Sequence, residues 1–175
     1  MNSQKSEENL LLRMADITKR FPGVLALSGV QFELYPGEVH LLVGENGAGK
    51  STLIKILSGV YRPDDGEIFV DGEKVTIHNP NQAKELGIST IYQDFALIPQ
   101  LTVAQNIFLG REVSAHGVPF LIDNKTVDDQ CRILSERLEL SLEPTQYVRN
   151  LSTAEKQLVE IARALSSNSR ILIMD

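Results

Sequence analysis

A chain of 175 residues that is 42% hydrophobic is long enough to bury the core of an ordinary globular domain, which argues against disorder. With 17 Lys and Arg against 23 Asp and Glu, the formal net charge is -6, so a broad nucleic-acid-binding surface is not expected. The single cysteine, Cys131, excludes an intrachain disulfide and suits a reducing compartment. The polar residues 1–8 predict no signal peptide, and no apolar run approaches the roughly 20 residues of a membrane span.

The first part of the chain alternates short strand patterns with glycine-containing turns. Two turn signals, Phe21-Pro22-Gly23 and Tyr35-Pro36-Gly37, separate apolar segments of strand length. Asp71-Gly72 is a typical two-residue hairpin turn. The predicted elements are strands 10–18, 30–34 and 38–43, a helix over 50–58, a hairpin of 67–70 with 74–77, a helix over 81–86 and a strand over 88–92.

From about residue 103 the pattern becomes mostly helical. Helices are predicted near 103–109, 126–138 and 152–165, where apolar residues recur at helical spacing. The apolar run 171–174 then predicts a buried strand that returns to a parallel sheet. This order of elements predicts an α/β fold into which a helical lobe is inserted.

A phosphate-binding motif lies between a predicted strand and a predicted helix, where it fits the pattern G-x-x-x-x-G-K-[ST]. The candidate nucleotide-binding residues of this loop are Gly44, Glu45, Asn46, Gly47, Ala48, Gly49, Lys50, Ser51 and Thr52. Its glycines allow backbone N–H groups to converge on phosphate oxygens, and the helix that follows directs its unsatisfied N–H groups at the same place.

The side chains of this loop have separate predicted roles. Lys50 supplies a positive point charge, the Ser51 hydroxyl can bind Mg²⁺, and Thr52 bonds phosphate or caps the helix. The motif alone predicts a P-loop nucleotide binder. It leaves kinases, GTPases and motor ATPases open.

A second motif begins the last predicted helix. Residues 151–157 read Leu-Ser-Thr-Ala-Glu-Lys-Gln, and Ser152 with Glu155 has the spacing of a capping box. The apolar residues that follow fall on one face of the helix. By itself this pattern is an ordinary helix start.

Placed shortly before the apolar strand that ends in Asp175, this motif resembles the signature L-S-G-G-Q of the ATP-binding-cassette (ABC) family. Thr153 and Ala154 stand in place of the paired glycines, and Glu155 stands in place of the glutamine. An L-S-x-A-x-x-Q version is typical of the bacterial monosaccharide-importer branch, and the residues that fit it are Leu151, Ser152, Ala154 and Gln157. The resemblance makes Ser152 and Ala154 candidate contacts to ATP held by a partner cassette.

The same resemblance adds three candidate site residues. Phe21 would stack on adenine, although an aromatic residue here could equally belong to the core. Gln93 would lie in the Q-loop and approach Mg²⁺ and the attacking water, whereas on its own it is a solvated residue after a strand. Asp175 would end a Walker B strand and hold Mg²⁺ through its water shell. The implied catalytic residues are Gln93 and Asp175, and the implied metal-binding residues are Ser51, Gln93 and Asp175.

The resemblance implies an α/β fold, namely a P-loop NTPase core of the ABC ATPase type with an N-terminal antiparallel β subdomain and an inserted helical subdomain. The chain would be a partial ATP-binding domain. Its expected parts are a β subdomain with the P-loop core at 1–92, the Q-loop and the helical subdomain with the signature motif at 93–165, and the Walker B strand at 166–175.

The implied function is that of the ATP-binding subunit of an ABC importer, which uses ATP and Mg²⁺ to drive uptake of a sugar. Expected partners are membrane permease subunits, a second cassette in the same polypeptide or in a dimer, and indirectly a periplasmic or extracellular solute-binding protein; no nucleic acid is expected. The subunit would lie peripherally on the cytoplasmic face of the membrane.

An importer of nucleosides or other small solutes is a close alternative. A soluble ABC ATPase of translation or DNA repair is more distant, since neither a long basic linker nor a coiled-coil insertion is found.

The position of Asp175 leads to a further expectation. The glutamate that would orient or deprotonate the attacking water, and the switch histidine of the family, would follow this residue. The 175-residue chain is therefore expected to be the first portion of a longer subunit and to bind ATP without efficient hydrolysis.

Overall fold

The computed structural model describes residues 10–112, 122–167 and 169–175. Residues 1–8, whose polar composition predicts no signal peptide, lie outside the described residues. The chain forms two compact units, residues 1–88 and 89–175. Within the described residues, no helix combines the length and the apolar character needed to cross a membrane.

An antiparallel sheet of four strands dominates the first unit. Its strands are β1 (Leu12–Phe21), β2 (Val24–Leu34), β3 (Asp65–Val70) and β4 (Glu73–Val75). They are arranged in the order β2-β1-β3-β4, so that β1 is paired on both sides. Apolar side chains of β1, including Leu12, Met14 and Ile17, are almost completely buried. This sheet confirms the predicted N-terminal antiparallel β subdomain.

Two tight turns connect neighbouring strands of this sheet. Asp71 and Gly72 have φ angles of 52° and 78°, and positive φ at both central residues is what a type I′ hairpin requires. Pro22-Gly23 joins β1 to β2, and Phe21 pairs with Val24 across it. The sequence pattern predicted both turns but began the second strand at residue 30. The observed strand begins earlier because pairing with β1 continues up to the turn.

Two helices of the first unit lie where the sequence predicted them. Helix α1 (Lys50–Leu57) buries four apolar side chains and is followed by Gly59 at a φ of 74°. Helix α2 (Pro80–Glu85) begins with proline at its first position, which suits a helix start because the missing N–H has no partner there anyway. The Asn79 side chain caps α2 by accepting hydrogen bonds from the backbone N–H groups of Asn81 and Gln82.

The predicted strand over residues 38–43 is wrong for the described structure. This segment has no strand assignment, and the side chains of Val39, Leu41 and Val43 are 98%, 80% and 82% exposed. A β-strand is maintained by backbone hydrogen bonds to a neighbouring strand. Neither sheet found among the described residues includes this segment, so its apolar composition does not lead to strand pairing.

Within its described residues, the second unit contains three α-helices, a short 3₁₀ helix (Val148–Asn150) and, apart from Ile88, a pair of strands. The helices are α3 (Val103–Ile107), α4 (Asn124–Arg137) and α5 (Thr153–Leu165), and the strands are β5 (Ile88–Ile91) and β6 (Ile171–Met174). These elements confirm the predicted helical lobe and the last predicted strand. The helices pack around one apolar core, whose buried members are Val103, Ala104, Ile107, Val127, Cys131, Leu134, Val148, Leu151, Val159 and Ala162.

Strands β5 and β6 pair with each other. At their C-terminal ends, the backbone N–H of Asp175 donates to the carbonyl of Ile91 at 3.0 Å. At their N-terminal ends, the hydroxyls of Ser89 and Ser169 lie 2.5 Å apart. The C-terminal ends of the two strands thus lie together, and so do their N-terminal ends, as in a parallel pair. Strand β6 is less buried than predicted, because only Ile171 is fully buried.

The helical core makes a testable prediction about two isoleucines. Ile107 is fully buried, whereas Ile133 on α4 is 65% exposed. Ile107→Val should lower the free energy of unfolding by about 0.5–1.5 kcal/mol, because the lost methylene leaves a gap in a packed core. The matched surface change Ile133→Val should stay within about 0.5 kcal/mol of the wild type. Urea unfolding of both variants tests this, and equal losses at the two positions would contradict the packing described.

Candidate functional site

The phosphate loop, residues 44–51, reaches helix α1 through a glycine that cannot be replaced without strain. Gly49 has a φ of 86°, in the left-handed region that favours glycine. A Cβ atom placed on Gly49 would lie 2.6 Å from the carbonyl oxygen of Ala26 and 2.7 Å from the Cδ2 atom of Leu27, both in β2. Residue 49 must therefore be glycine for the loop to approach the sheet this closely.

The start of helix α1 has the properties of an anion site. Gly49 is its N-cap residue and supplies no side-chain hydrogen bond to the first turn. N–H groups at the start of a helix have no partner within the helix and carry partial positive charge. A phosphate group at this position would accept their hydrogen bonds, so the loop fits the nucleotide that the sequence motif predicts.

Lys50 lies back over its own loop. Its Nζ atom donates hydrogen bonds to the carbonyl oxygens of Gly44, at 2.6 Å, and Glu45, at 2.8 Å. The ammonium group is thereby held above the loop, and its charge is close to the backbone that the motif assigns to phosphate. Ser51 is exposed and Thr52 is half-buried in the first turn of α1.

Phe21 lies at the end of β1 and is half-buried. Its ring packs edge-on against Tyr61, with ring centroids 5.2 Å apart, and the Lys19 ammonium lies 5.7 Å from its centroid. One side of the ring thus has a packing partner while part of the side chain remains accessible. Both the core role and the adenine-stacking role that the sequence suggested are compatible with this position.

Gln93 and Asp175 lie at the same edge of the parallel strand pair in the second unit. Gln93 comes two residues after β5 ends, Asp175 directly follows β6, and both side chains are exposed. The hydrogen bond between Asp175 and Ile91 brings the two strand ends together. In sheets with parallel strands, ligands bind at the carboxyl ends of the strands.

The first turn of α5 is closed by a reciprocal capping box. The Ser152 hydroxyl accepts from the backbone N–H of Glu155 at 3.3 Å, and the Glu155 carboxylate accepts from the backbone N–H and the hydroxyl of Ser152, both at 2.7 Å. These donors, the hydroxyl first and then the backbone N–H, hold the pKa of Glu155 below its usual value. Glu155 therefore acts as a cap in this structure. Ala154 is exposed beside it.

Two buried polar side chains near Gln93 were not predicted from the sequence. Asn106 on α3 is fully buried and Glu160 on α5 is 5% exposed, and both bond the backbone of the segment that follows Gln93. No local signal marks Glu160, because its neighbours on the helix surface include the polar residues Lys156, Gln157 and Arg163.

The oxygen donors at the strand ends of the second unit are of the type that suits Mg²⁺. The Gln93 amide and the Asp175 carboxylate both offer oxygen atoms, the ligand type that Mg²⁺ prefers, and Mg²⁺ keeps several of its waters. In the first unit, Ser51 offers a hydroxyl oxygen of the same ligand type. In the described part of the chain, no group of three or more His, Cys, Asp and Glu side chains could hold a metal by itself.

The sequence model of the family described as ABC transporter matches residues 27–175. The chain therefore belongs to the ABC transporter family. Its predicted fold class is confirmed, because the chain resembles a solved structure of the ADP conformation of an ATP-binding cassette of an ABC transporter. That likeness has a TM-score of 0.77 at 29% identity and covers 93% of this chain and 67% of that one.

Curated relatives are similar over nearly the whole chain. It is 59% identical over 165 residues to the ribose import ATP-binding protein RbsA 1 of Rubrobacter xylanophilus, covering 94% of this chain and 32% of the relative. It is 55% identical over 170 residues to the ribose import ATP-binding protein RbsA 1 of Streptomyces avermitilis, covering 97% of this chain and 32% of the relative. The chain thus spans about a third of the length of the curated relatives it matches.

The capping box predicts how Glu155 titrates. NMR titration should give a pKa for Glu155 below that of an ordinary glutamate, and Ser152→Ala should raise it toward the ordinary value by removing the hydroxyl donor. Because the folded-state pKa is depressed, the capping box stabilises α5 above the unfolded-state pKa. That contribution is lost as the pH falls through the folded-state pKa. Thr153→Ala serves as the control, since Thr153 takes no part in the box. A pKa that does not respond to Ser152→Ala would contradict this account.

Proposed function

We propose that this chain is the ATP-binding part of an ABC importer that couples ATP binding and hydrolysis to the uptake of a sugar. The observation that carries the proposal is the phosphate loop, in which Gly49 leads directly into the uncapped start of α1 and Lys50 lies over the loop backbone. The names of the relatives, which are ribose import ATP-binding proteins, support sugar uptake.

Within the proposal, the first unit binds the phosphates of ATP. The backbone N–H groups of residues 44–51 and the first turn of α1 donate to phosphate oxygens. Lys50 exchanges its hydrogen bonds to the carbonyls of Gly44 and Glu45 for bonds to a phosphate, which gain strength because both partners are charged. Phe21, whose side chain is half-buried, stacks on the adenine ring with its accessible part.

The remaining candidate residues of the proposal concern Mg²⁺ and the attacking water. The residues that would bind Mg²⁺ are Ser51, Gln93 and Asp175, and Gln93 would orient the attacking water. When bound, Mg²⁺ neutralises charge that develops on the phosphates during hydrolysis. The predicted division into parts 1–92, 93–165 and 166–175 belongs to this proposal.

The proposed assembly places a second cassette opposite this one. Ser152 and Ala154 then meet the γ-phosphate of ATP bound to the other cassette, which lies either in the same polypeptide or in a dimer partner. Membrane permease subunits carry the solute, a solute-binding protein delivers it, and the cassette lies on the cytoplasmic face of the membrane. Hydrolysis by the 175-residue chain alone is proposed to be inefficient.

Loss of the Lys50 ammonium should weaken ATP binding. A hydrogen bond to a charged group is worth about 1.5–3 kcal/mol, so Lys50→Ala should raise the Kd for Mg-ATP by about 10- to 100-fold. Lys125→Ala on α4 removes the same charge at an exposed site and should leave the Kd within about twofold. Titration with a fluorescent ATP analogue measures both variants. Equal binding by wild type and Lys50→Ala would exclude the proposed phosphate site.

Replacement of Ser152 should affect the association of two cassettes more than the binding of ATP to this one. In the 175-residue chain, Ser152→Arg should leave the Kd for ATP nearly unchanged. In the complete protein it should weaken ATP-driven closure of the two cassettes and lower hydrolysis, because a large cation blocks the surface that receives the partner's nucleotide. Ser152→Ala controls for loss of the helix cap alone. If Ser152→Arg destroyed ATP binding in the 175-residue chain, the proposal that Ser152 contacts the ATP of the other cassette would be refuted.

A further inference from the structure

The segment that follows Gln93 is held at Ala96 by two side chains of helix α5. The Glu160 carboxylate accepts a hydrogen bond from the backbone N–H of Ala96 at 2.8 Å, and the Arg163 guanidinium donates to the backbone carbonyl of Ala96 at 2.7 Å. Glu160 and Arg163 also pair with each other at 3.1 Å, one helical turn apart. The N–H and the carbonyl of one residue are thus bonded by two side chains that stabilise each other's charge.

Asn106 on α3 holds the same segment two residues further on. Its side-chain oxygen accepts from the backbone N–H of Ile98 at 2.7 Å, and its amide nitrogen donates to the carbonyl of Ile98 at 3.0 Å and to that of Thr102 at 2.9 Å. Asn106 is fully buried and these bonds use its oxygen and nitrogen together. Side chains of two different helices therefore fix the backbone at residues 96 and 98.

Arg111 joins the ends of these two helices. Its guanidinium donates to the carbonyl of Ile107 at 2.9 Å, to the carbonyl of Ser166 at 3.1 Å and to the Ser166 hydroxyl at 2.6 Å. Burial first, and then the positive charge of Arg163, lower the pKa of the Arg111 side chain. The segment 96–98, α3 and α5 consequently form one hydrogen-bonded network within the second unit.

The network lies between two candidate site residues. Gln93 comes shortly before Ala96, and Ser152 caps the helix from which Glu160 and Arg163 extend. A helix rises 1.5 Å per residue, so Glu160 lies about 12 Å along α5 from Ser152. Because α5 is a continuous helix, a displacement of its N-terminus is transmitted to the two side chains that hold Ala96.

From this geometry we infer that Glu160 and Arg163 are positioning residues. They attach the Gln93 segment, residues 93–98, to the signature helix, which is α5 with its N-cap Ser152. Gln93 and Ser152 then change position together, so that a cassette whose signature helix is misplaced also has a misplaced Gln93. The inference rests on the proposed function, since only there do both residues act on ATP. Glu160 supplies the acceptor and Arg163 the donor for Ala96, and their ion pair offsets part of the cost of burying the Glu160 charge.

The first experiment tests the attachment without nucleotide. Glu160→Ala should raise the hydrogen-exchange rate of the Ala96 amide about tenfold or more, as measured by NMR, while the Ile98 amide stays protected by Asn106. Glu160→Gln keeps an acceptor of the same shape and should restore most of the protection. Asp129→Ala is the matched control, because Asp129 and Arg132 form a pair of the same spacing on α4 with both side chains half-exposed. It should change neither amide.

The second experiment tests positioning in the complete protein. Glu160→Ala should lower kcat for ATP hydrolysis about 10- to 100-fold, the cost of a small misplacement of a catalytic group, and leave KM within about twofold. Glu160→Gln should recover most of kcat. Should Glu160→Ala fail to fold, Arg163→Lys replaces it, because a lysine cannot bond Ala96 and Glu160 with the fork of a guanidinium. That variant should show the same reduction of kcat at constant KM.

Several results would overturn the inference. The first is an unchanged hydrogen-exchange rate of the Ala96 amide in Glu160→Ala. The second is an unchanged kcat although the Ala96 amide exchanges faster. The third is a KM that rises together with the fall in kcat. Failure of the proposed function looks different. In that case the wild-type chain does not bind ATP, or Lys50→Ala binds it equally well, while the exchange result at Ala96 still stands.

Discussion

The close approach of the phosphate loop to strand β2 fixes how the loop can lead into α1. The loop must turn into α1 at Gly49, where any side chain would meet the carbonyl of Ala26 and the side chain of Leu27. Strand β2 is in turn paired with β1, which has β3 on its other side. The antiparallel sheet therefore supports the loop from one side, and the helix start it presents is where a phosphate is best stabilised.

Helix α5 has a comparable place in the second unit. Its first turn is closed by Ser152 and Glu155, its apolar face contributes Val159 and Ala162 to the core, and its middle turns bond the backbone of the Gln93 segment. One helix thus carries a cap, part of the core and a pair of charged anchors. A change in any of these alters the position of the other two, because the helix moves as a unit.

The capping box also affects how the signature motif would receive a nucleotide. In the described structure, the Ser152 hydroxyl is engaged by the carboxylate of Glu155, which places negative charge at the start of α5. Negative charge at a helix N-terminus is favourable to the helix, but it repels a phosphate that approaches the same point. For the proposed function, the hydroxyl of Ser152 has to turn from Glu155 toward the incoming phosphate. The free energy that the capping box contributes to α5 therefore opposes part of the free energy gained when the two proposed cassettes close on ATP.

Short-range patterns in the sequence determined much of this protein. The phosphate loop, the Asp71-Gly72 turn, the capping box at Ser152 and the helices α1 to α5 depend on residues close together in the chain, and they were predicted close to their observed positions. The family was also predicted from the motifs, and the match over residues 27–175 confirms it. The roles of the individual site residues remain predictions.

Only the tertiary structure decided which segments pair and which polar groups are buried. The apolar residues 38–43 predicted a strand, but pairing requires a neighbour, and neither sheet among the described residues includes this segment. Strand β2 begins at Val24 because β1 lies beside it, which its own composition did not indicate. Glu160 and Asn106 have partners far away along the chain or in another element, so no local pattern marks them. Local hydrogen bonds and turn geometry are encoded by neighbouring residues, whereas burial and strand pairing depend on what folds against them.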